Sequence, residues 1–184
     1  MNKGRLFIVS GPSGAGKGTV LAEVFKLNEN LRMSVSATTR QPRPGEIDGV
    51  HYHFITRDEF LGKIERNEML EYAEYCDNFY GTPADYVEQQ RLDGFDVVLE
   101  IEPCGAAQVQ KRCPDAVSVF IMPPSLEILR ARLVGRGTEE PEVVAARIAQ
   151  AEREVAAADR YDYCIINDVL EKAVDDLNEI LKNV

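Results

Sequence analysis

The sequence predicts an α/β fold with a largely parallel sheet at its core, and three observations support this prediction. Short apolar runs rich in valine and isoleucine alternate along the chain with longer segments of helical periodicity. A glycine-rich loop joins the first apolar run to the first helical segment. The length of 184 residues and the 45% hydrophobic and 28% charged content are typical of one compact domain.

Four apolar runs predict the strands of the core, because each is short, rich in β-branched residues and bounded by turn or helix signals. They are RLFIVS, FDVVLEI, AVSVFIM and DYCII. Five segments with helical spacing of apolar residues predict the helices that separate or follow these strands. They are GKGTVLAEVFKL, PADYVEQQRLDG, SLEILRARLVG, PEVVAARIAQAEREVAAADR and DVLEKAVDDLNEILKNV.

Residues 33–82 have a different pattern from the rest of the chain. Short strands are indicated at MSVSATTR, VHYHFIT and EMLEYAEY, around one helix, and RPGEIDG carries strong turn signals. We therefore predict a small β-rich insertion in the α/β core.

Charge and hydropathy restrict the class of partner. The net charge of −10 argues against nucleic acid, because binding a long phosphate backbone requires a basic face. No apolar run approaches the roughly 20 residues of a membrane span, and the run near the start is too short for a signal peptide. We expect a cytoplasmic protein that binds neither nucleic acid nor a membrane.

The cysteines do not predict a metal site or a disulfide framework. Cys76, Cys104, Cys113 and Cys164 lie far apart, with no C-x-x-C spacing, and the chain has only two histidines. We predict reduced, mostly buried thiols and no metal held by a cluster of protein ligands.

The stretch GPSGAGKGT predicts a phosphate-binding loop. Gly11, Gly16 and Lys17 match the spacing G-x-x-x-x-G-K between a buried strand and a helix. Backbone N–H groups of such a loop, together with the helix N-terminus, surround an anion. The predicted ligand is a nucleotide polyphosphate.

One position in this loop bears on Mg²⁺. Gly18 stands where the general motif has serine or threonine, and a hydroxyl follows only at Thr19. The metal is then expected to depend on phosphate oxygens and water, and Glu100 or Glu102 at a strand end could hold those waters. The alternative is that both glutamates only cap the exposed strand end.

The sequence resembles the guanylate kinases, nucleoside monophosphate kinases that move the γ-phosphoryl group of ATP to GMP. The resemblance rests on GPSGAGKGT, SVSATTRQPRPGEIDGVHYHF, EMLEYAEYCDNFYGTP, LRARLVGRGTE and IIND, in the family's order. It implies a P-loop kinase fold in a single domain, residues 1–184, with a core at 1–32, 83–124 and 158–184. It also implies a GMP-binding segment at 33–82 and a helical lid at 125–157. The chain departs from the family pattern at Gly18 and at LEIEPCGA.

The resemblance implies two substrate sites and the residues that serve them. The phosphates of ATP, with Mg²⁺, are expected at Gly11, Pro12, Ser13, Gly14, Ala15, Gly16, Lys17, Gly18 and Thr19, and its adenosine near Asn167 and Asp168. GMP is expected among Ser36, Arg40, Arg43, Glu46, Tyr52, Glu71, Tyr80, Thr82 and Glu100. The residues expected to act on the transferred phosphoryl group are Lys17, Arg43, Arg136 and Arg147.

Two alternatives remain open at this point. The first is a kinase for another nucleoside monophosphate, which the residues that contact the base would have to exclude. The second is a catalytically inactive guanylate kinase-like module that recognises a phosphorylated protein. Lys17, the intact glycine loop and the arginines argue against that module, because a scaffold does not need them.

Overall fold

The computed structural model describes residues 3–134 and 141–184, and it divides into two compact units. The first unit comprises Met1–Phe7 and Asn30–Ala116, and the second comprises Ile8–Glu29 and Val117–Val184. The strands are β1 Leu6–Ser10, β2 Leu31–Met33, β3 Ala37–Thr38, β4 His53–Phe54, β5 Met69–Tyr75, β6 Asn78–Pro83, β7 Asp96–Glu100, β8 Val117–Met122 and β9 Tyr163–Ile166. The helices are α1 Lys17–Leu27, α2 Arg57–Glu65, α3 Ala84–Leu92, α4 Pro103–Arg112, α5 Leu126–Val134, α6 Pro141–Val155 and α7 Leu170–Asn183.

The larger sheet has five strands in the order β2-β7-β1-β8-β9. In the first unit β2 pairs with β7 in parallel, and in the second unit β8 pairs with β9 in parallel. All five residues of β1 are buried, as expected for a strand covered on both faces. The predicted α/β fold with a parallel sheet core is confirmed.

The predicted core elements are found close to their expected positions. The four predicted strands are β1, β7, β8 and β9, and the five predicted helices are α1, α3, α5, α6 and α7. The fourth predicted helix is shorter than expected, because α6 ends at Val155 and a separate 3-10 turn covers Ala158–Arg160.

The sequence did not predict two core elements. The strand β2 has only three residues and carries Arg32, whose guanidinium carbon lies 3.8 Å from the ring centroid of Phe95. The helix α4 begins at Pro103, a residue that breaks helix interiors but is compatible with the first turn, where its missing N–H is not needed.

The smaller sheet lies in the first unit and has the strand order β4-β3-β6-β5. Its core cluster contains Ala37, Phe60, Met69 and Phe79, and the Phe60 and Phe79 rings stack at 5.3 Å. The predicted β-rich character of residues 33–82 is thus observed, although β3 and β4 are only two residues each.

The prediction of mostly buried thiols is wrong. Cys76, Cys104 and Cys164 are exposed, Cys113 is half-buried, and all four are free. Their positions explain this, because Cys76 lies in the tight turn between β5 and β6, Cys104 in the first turn of α4, and Cys164 on the sheet-edge strand β9. No helix within residues 3–134 or 141–184 combines the length and the apolar character that a membrane crossing requires.

Candidate active site

A cavity of about 260 Å³ lies in the first unit. Its walls come from β5, β6, the end of β7 and the start of α4. Of the residues predicted to surround GMP, five line this cavity: Ser36, Tyr52, Glu71, Tyr80 and Glu100. Residues close to 100 in sequence and residues of the 33–82 segment therefore contribute to one concave site.

Glu71 is the most deeply buried charged group of the cavity wall. Its residue is 7% exposed, and its Oε1 accepts a hydrogen bond of 2.7 Å from the hydroxyl of Thr82, which is fully buried. Burial raises the pKa of Glu71, and the hydrogen bonds from Thr82 oppose the shift. The sheet register sets this contact, because Glu71 on β5 faces Thr82 on β6.

Gly105 makes room for the Glu71 carboxylate. A Cβ atom at Gly105 would lie 2.6 Å from Glu71 Oε2, closer than real Cβ contacts. Neither Gly105 nor its neighbour Cys104, which also lines the cavity, was predicted from the sequence as a site residue. The signal was available in EPCGA directly after a predicted strand, because Pro at the first helical position followed by small residues indicates a helix start.

If GMP binds in this cavity, as the family resemblance implies, Gly105→Ala is expected to raise the KM for GMP at least about tenfold, because its methyl group must displace the Glu71 carboxylate. Steady-state kinetics with GMP varied at saturating ATP measure the effect. Gly62→Ala on α2 is the matched control, since its nearest contact would be the far end of the flexible Arg66 side chain at 3.0 Å. An unchanged KM in a folded Gly105→Ala protein would contradict the steric role of Gly105.

Arg40 and Glu46 form a forked ion pair beside the aromatic residues of the site. The Arg40 Nη2–Glu46 Oε1 and Nη1–Oε2 distances are 2.9 and 3.0 Å. Glu46 Oε2 also accepts a hydrogen bond of 2.7 Å from the backbone N–H of Arg43. The Arg40 hydrogen bond is the main cause that lowers the pKa of Glu46 to about 2. In this arrangement Glu46 orients Arg40 and the backbone at Arg43, whose own side chain is exposed.

Two tyrosines connect this ion pair to the cavity. The Tyr52 and Tyr80 rings meet edge to face with centroids 6.1 Å apart, and the Arg40 guanidinium carbon lies 5.6 Å from the Tyr52 ring centroid. Burial raises the pKa of Tyr52, so its hydroxyl remains protonated at neutral pH. The Tyr52 and Tyr80 side chains end in hydroxyl groups, a type of group that can donate a hydrogen bond to an anion.

The phosphate-loop sequence adopts a turn in the second unit that requires glycine at two positions. Gly11 has φ 151° and Gly16 has φ 87°, backbone angles that residues other than glycine rarely adopt. A Cβ atom would lie 2.1 Å from Ile121 O at Gly11 and 2.5 Å from Asn167 Nδ2 at Gly16. Both glycines are required by backbone conformation and by close approach.

Lys17 and Asn167 hold the shape of this loop. Lys17 Nζ donates to the carbonyl oxygens of Gly11 and Pro12 at 2.6 and 3.2 Å. Asn167, which is 7% exposed at the end of β9, donates from Nδ2 to Ala15 O at 2.8 Å. Asn167 therefore contacts the backbone of the loop, whereas Asp168 is exposed beside it.

Of the two predicted lid arginines, the structure describes only the backbone of Arg147. Arg136 lies outside the described residues. Arg147 lies within α6, and its side chain is also outside what the structure describes. Their predicted action on the transferred phosphoryl group stays a prediction.

Comparison with known proteins decides the family. The guanylate kinase family model matches residues 3–184 of this chain. The chain belongs to the guanylate kinase family. The guanylate kinase of Lactococcus lactis is 52% identical over 180 residues, which cover 98% of this chain and 88% of that protein. The guanylate kinase of Streptococcus pneumoniae strain R6 is 53% identical over 175 residues, 95% of this chain and 84% of that protein.

Solved structures agree with this assignment. The crystal structure of guanylate kinase from Anaplasma phagocytophilum superposes with a TM-score of 0.76 at 34% identity, covering 98% of this chain and 86% of that one. A shikimate kinase from Bacteroides thetaiotaomicron, at 17% identity and a TM-score of 0.53, shares the fold alone. The predicted resemblance to guanylate kinases and the predicted P-loop kinase fold are both confirmed.

Proposed function

We propose that this chain is an active guanylate kinase that catalyses ATP + GMP → ADP + GDP. The observation that carries the proposal is the buried Glu71 carboxylate on the wall of the first unit's cavity, in a chain that also keeps the complete phosphate loop. The products place the enzyme in purine nucleotide metabolism and GMP recycling, and we propose a cytoplasmic location.

Guanine recognition is assigned to Glu71, with Ser36 and Thr82 as neighbours. Guanine presents two adjacent donors, N1–H and the 2-amino group, and an ionised carboxylate can accept both. Adenine has an unprotonated N1 and no 2-amino group at that edge, so the same carboxylate repels it. The Thr82 hydrogen bond keeps Glu71 oriented.

The GMP phosphate is assigned to Arg40, Arg43, Tyr52 and Tyr80. Arginine presents forked donors that suit a phosphate, and the two tyrosine hydroxyls add donors beside it. Glu46 serves this group indirectly, through its ion pair with Arg40.

The ATP phosphates are assigned to residues 11–19. The loop amides and the N-terminus of α1 favour an anion, and the Lys17 ammonium adds a compact positive charge. We propose that Asn167 supports this loop and that Asp168 lies near the ribose of ATP. Phosphoryl transfer depends mainly on such positioning and charge stabilisation.

We propose that Mg²⁺ accompanies ATP and is held chiefly by phosphate oxygens and water. Gly18 supplies no hydroxyl ligand, and Glu100 and Glu102 are exposed carboxylates suited to holding waters of a hydrated cation. When bound, the ion neutralises charge that develops on the phosphate oxygens.

We propose a division of labour within the single domain. Residues 33–82 bind GMP, residues 125–157 form a lid that carries Arg136 and Arg147, and the remaining residues form the core. Excluding water is necessary because a phosphoryl donor beside an open site would be hydrolysed. Both arginines are assigned to the charge of the transferring phosphoryl group.

An assay of ADP release with GMP, dGMP, AMP, CMP and UMP as acceptors tests the proposed function. We expect turnover with GMP far above that with AMP, CMP or UMP. Preference for another of these acceptors would favour a different nucleoside monophosphate kinase. No turnover with any acceptor would favour the protein-binding module.

Arg43 and Arg136 are expected to affect different kinetic constants. Arg43→Lys should raise the KM for GMP severalfold, since an ammonium cannot reproduce a two-donor fork. Arg136→Ala should lower kcat with a smaller effect on the KM for GMP, because its contact belongs to the transition state. Initial-rate kinetics of both variants decide this, and the reverse pattern would mean that the two roles are exchanged.

A further inference from the structure

We propose that Gln108 is a positioning residue for guanine recognition, because its amide holds the backbone of Tyr72 and thereby fixes the neighbouring Glu71 in the cavity. Gln108 Oε1 accepts a hydrogen bond of 3.2 Å from Tyr72 N, and its Nε2 donates at 2.9 Å to Tyr72 O. Both backbone groups of one residue are thus held by a single side chain. The inference rests on the role proposed above for Glu71.

The strand that carries Glu71 needs this support because of its place in the sheet. The strand β5 is at the edge of the order β4-β3-β6-β5, so among the described residues no further strand of that sheet pairs with its other side. Its pairing with β6 is also irregular between Met69 and Glu71. An irregular edge strand has fewer ladder bonds to keep a side chain in register.

Residues on one face of α4 contact the edge of β5 that is not paired with β6. Gly105, Gln108 and Arg112 are spaced by three and four residues, which places them on the same side of the helix. Gly105 faces the Glu71 carboxylate, Gln108 holds Tyr72, and Arg112 donates to Met69 O. The contacts of α4 therefore bracket Glu71 on both sides along β5.

The carboxylate itself supplies the reason why the backbone must be held. An ionised group that is 7% exposed gains solvation if the strand moves toward water. The Thr82 hydrogen bond restrains one oxygen, and the restraint on the adjacent peptide keeps the whole residue from shifting. Misplacement by a fraction of an ångström is enough to weaken paired hydrogen bonds to a base.

The test compares Gln108→Met, which keeps size but loses the amide, with Gln89→Met as a matched control. Gln89 is an exposed residue of α3 whose amide donates to Asp93, the residue directly after that helix. The readouts are the KM for GMP, the KM for ATP, and the ratio of kcat/KM for GMP to that for inosine monophosphate, whose base lacks the 2-amino group. Gln108→Met should raise the KM for GMP and lower the ratio by about tenfold, with the KM for ATP unchanged. Gln108→Glu keeps an acceptor for Tyr72 N but sets a second oxygen against Tyr72 O, so it should lower the ratio at least as much, and it serves if Gln108→Met does not fold.

A double-mutant cycle with Glu71→Gln separates the possible outcomes. If Gln108 acts through Glu71, Gln108→Met lowers the ratio in the parent protein and leaves it unchanged in Glu71→Gln. An unchanged ratio in folded Gln108→Met, or an equal loss in both backgrounds, would overturn the positioning role. If Glu71→Gln itself leaves the ratio unchanged, the proposed recognition of guanine by Glu71 is wrong, and so is the positioning role of Gln108.

Discussion

Lys17→Ala is expected to lower kcat by a factor of about 100 or more while the protein remains folded. Lys17 Nζ contacts two carbonyl oxygens of the phosphate loop, so its charge is held where donor phosphates are expected. The substitution removes a positive charge that is predicted to stabilise the transferring phosphoryl group and that alanine cannot replace. Steady-state kinetics with ATP and GMP measure the loss, and circular dichroism checks the fold.

Lys26→Ala is the matched control for this experiment. Lys26 lies on the same helix and forms an exposed ion pair with Glu23 at 2.7 Å, a type of contact that contributes little to stability. We expect near-normal kinetics for Lys26→Ala. A near-normal kcat for folded Lys17→Ala would exclude the assignment of Lys17 to catalysis.

Glu71→Gln is expected to lower kcat/KM for GMP by about one to two powers of ten and to narrow the preference for GMP over AMP. Charge-assisted hydrogen bonds contribute roughly 1.5–3 kcal/mol each, and the amide keeps one acceptor while presenting a donor of its own. The measurement is kcat/KM for both nucleotides in both proteins. An unchanged ratio would mean that Glu71 does not read the base, and the guanine assignment would rest on Ser36 and Thr82.

The same substitution should leave thermal stability unchanged or increase it. Burial raises the folded-state pKa of Glu71, so the folded protein favours the protonated carboxyl group. This contribution to the free energy of unfolding is present at low pH and is lost as the pH rises through that pKa. Above that pKa the ionised carboxylate therefore costs stability, and glutamine removes that cost. Glu74→Gln is the matched control, because Glu74 lies on the same strand but pairs with Arg57 at the surface. A large drop in Tm for Glu71→Gln alone would indicate a structural role.

Local patterns predicted those parts of the fold whose determinants are close together in sequence. The loop at Gly11 to Thr19 joins a buried strand to a helix, and each of these signals is complete within a few residues. The strand β2 and the helix α4 were missed for the opposite reason. Three residues of β2 give no periodicity, and Pro103 can be interpreted from sequence either as a helix break or as a helix start.

Site residues were predicted through the family resemblance, whereas their partners depend on tertiary contacts. Glu46 was expected at GMP, and only the structure shows that its carboxylate is engaged by Arg40 and the Arg43 backbone. Gly105 and Gln108 are more than thirty residues from Glu71 and Tyr72 in sequence. Their importance follows from the packing of α4 against β5, which no local spacing encodes.

The ion pair with Glu46 fixes the conformation of the Arg40 side chain when the protein folds, rather than when a ligand binds. A free arginine has roughly 2 kcal/mol of rotamer entropy to lose when it is fixed on a ligand. Glu46 holds Arg40 at 2.9 and 3.0 Å, so most of this loss occurs during folding. If Arg40 binds the GMP phosphate as proposed, its guanidinium is aligned before the nucleotide arrives, and Glu46 offsets part of its charge. We therefore expect this end of the proposed site to select an anion by its shape more than by its charge.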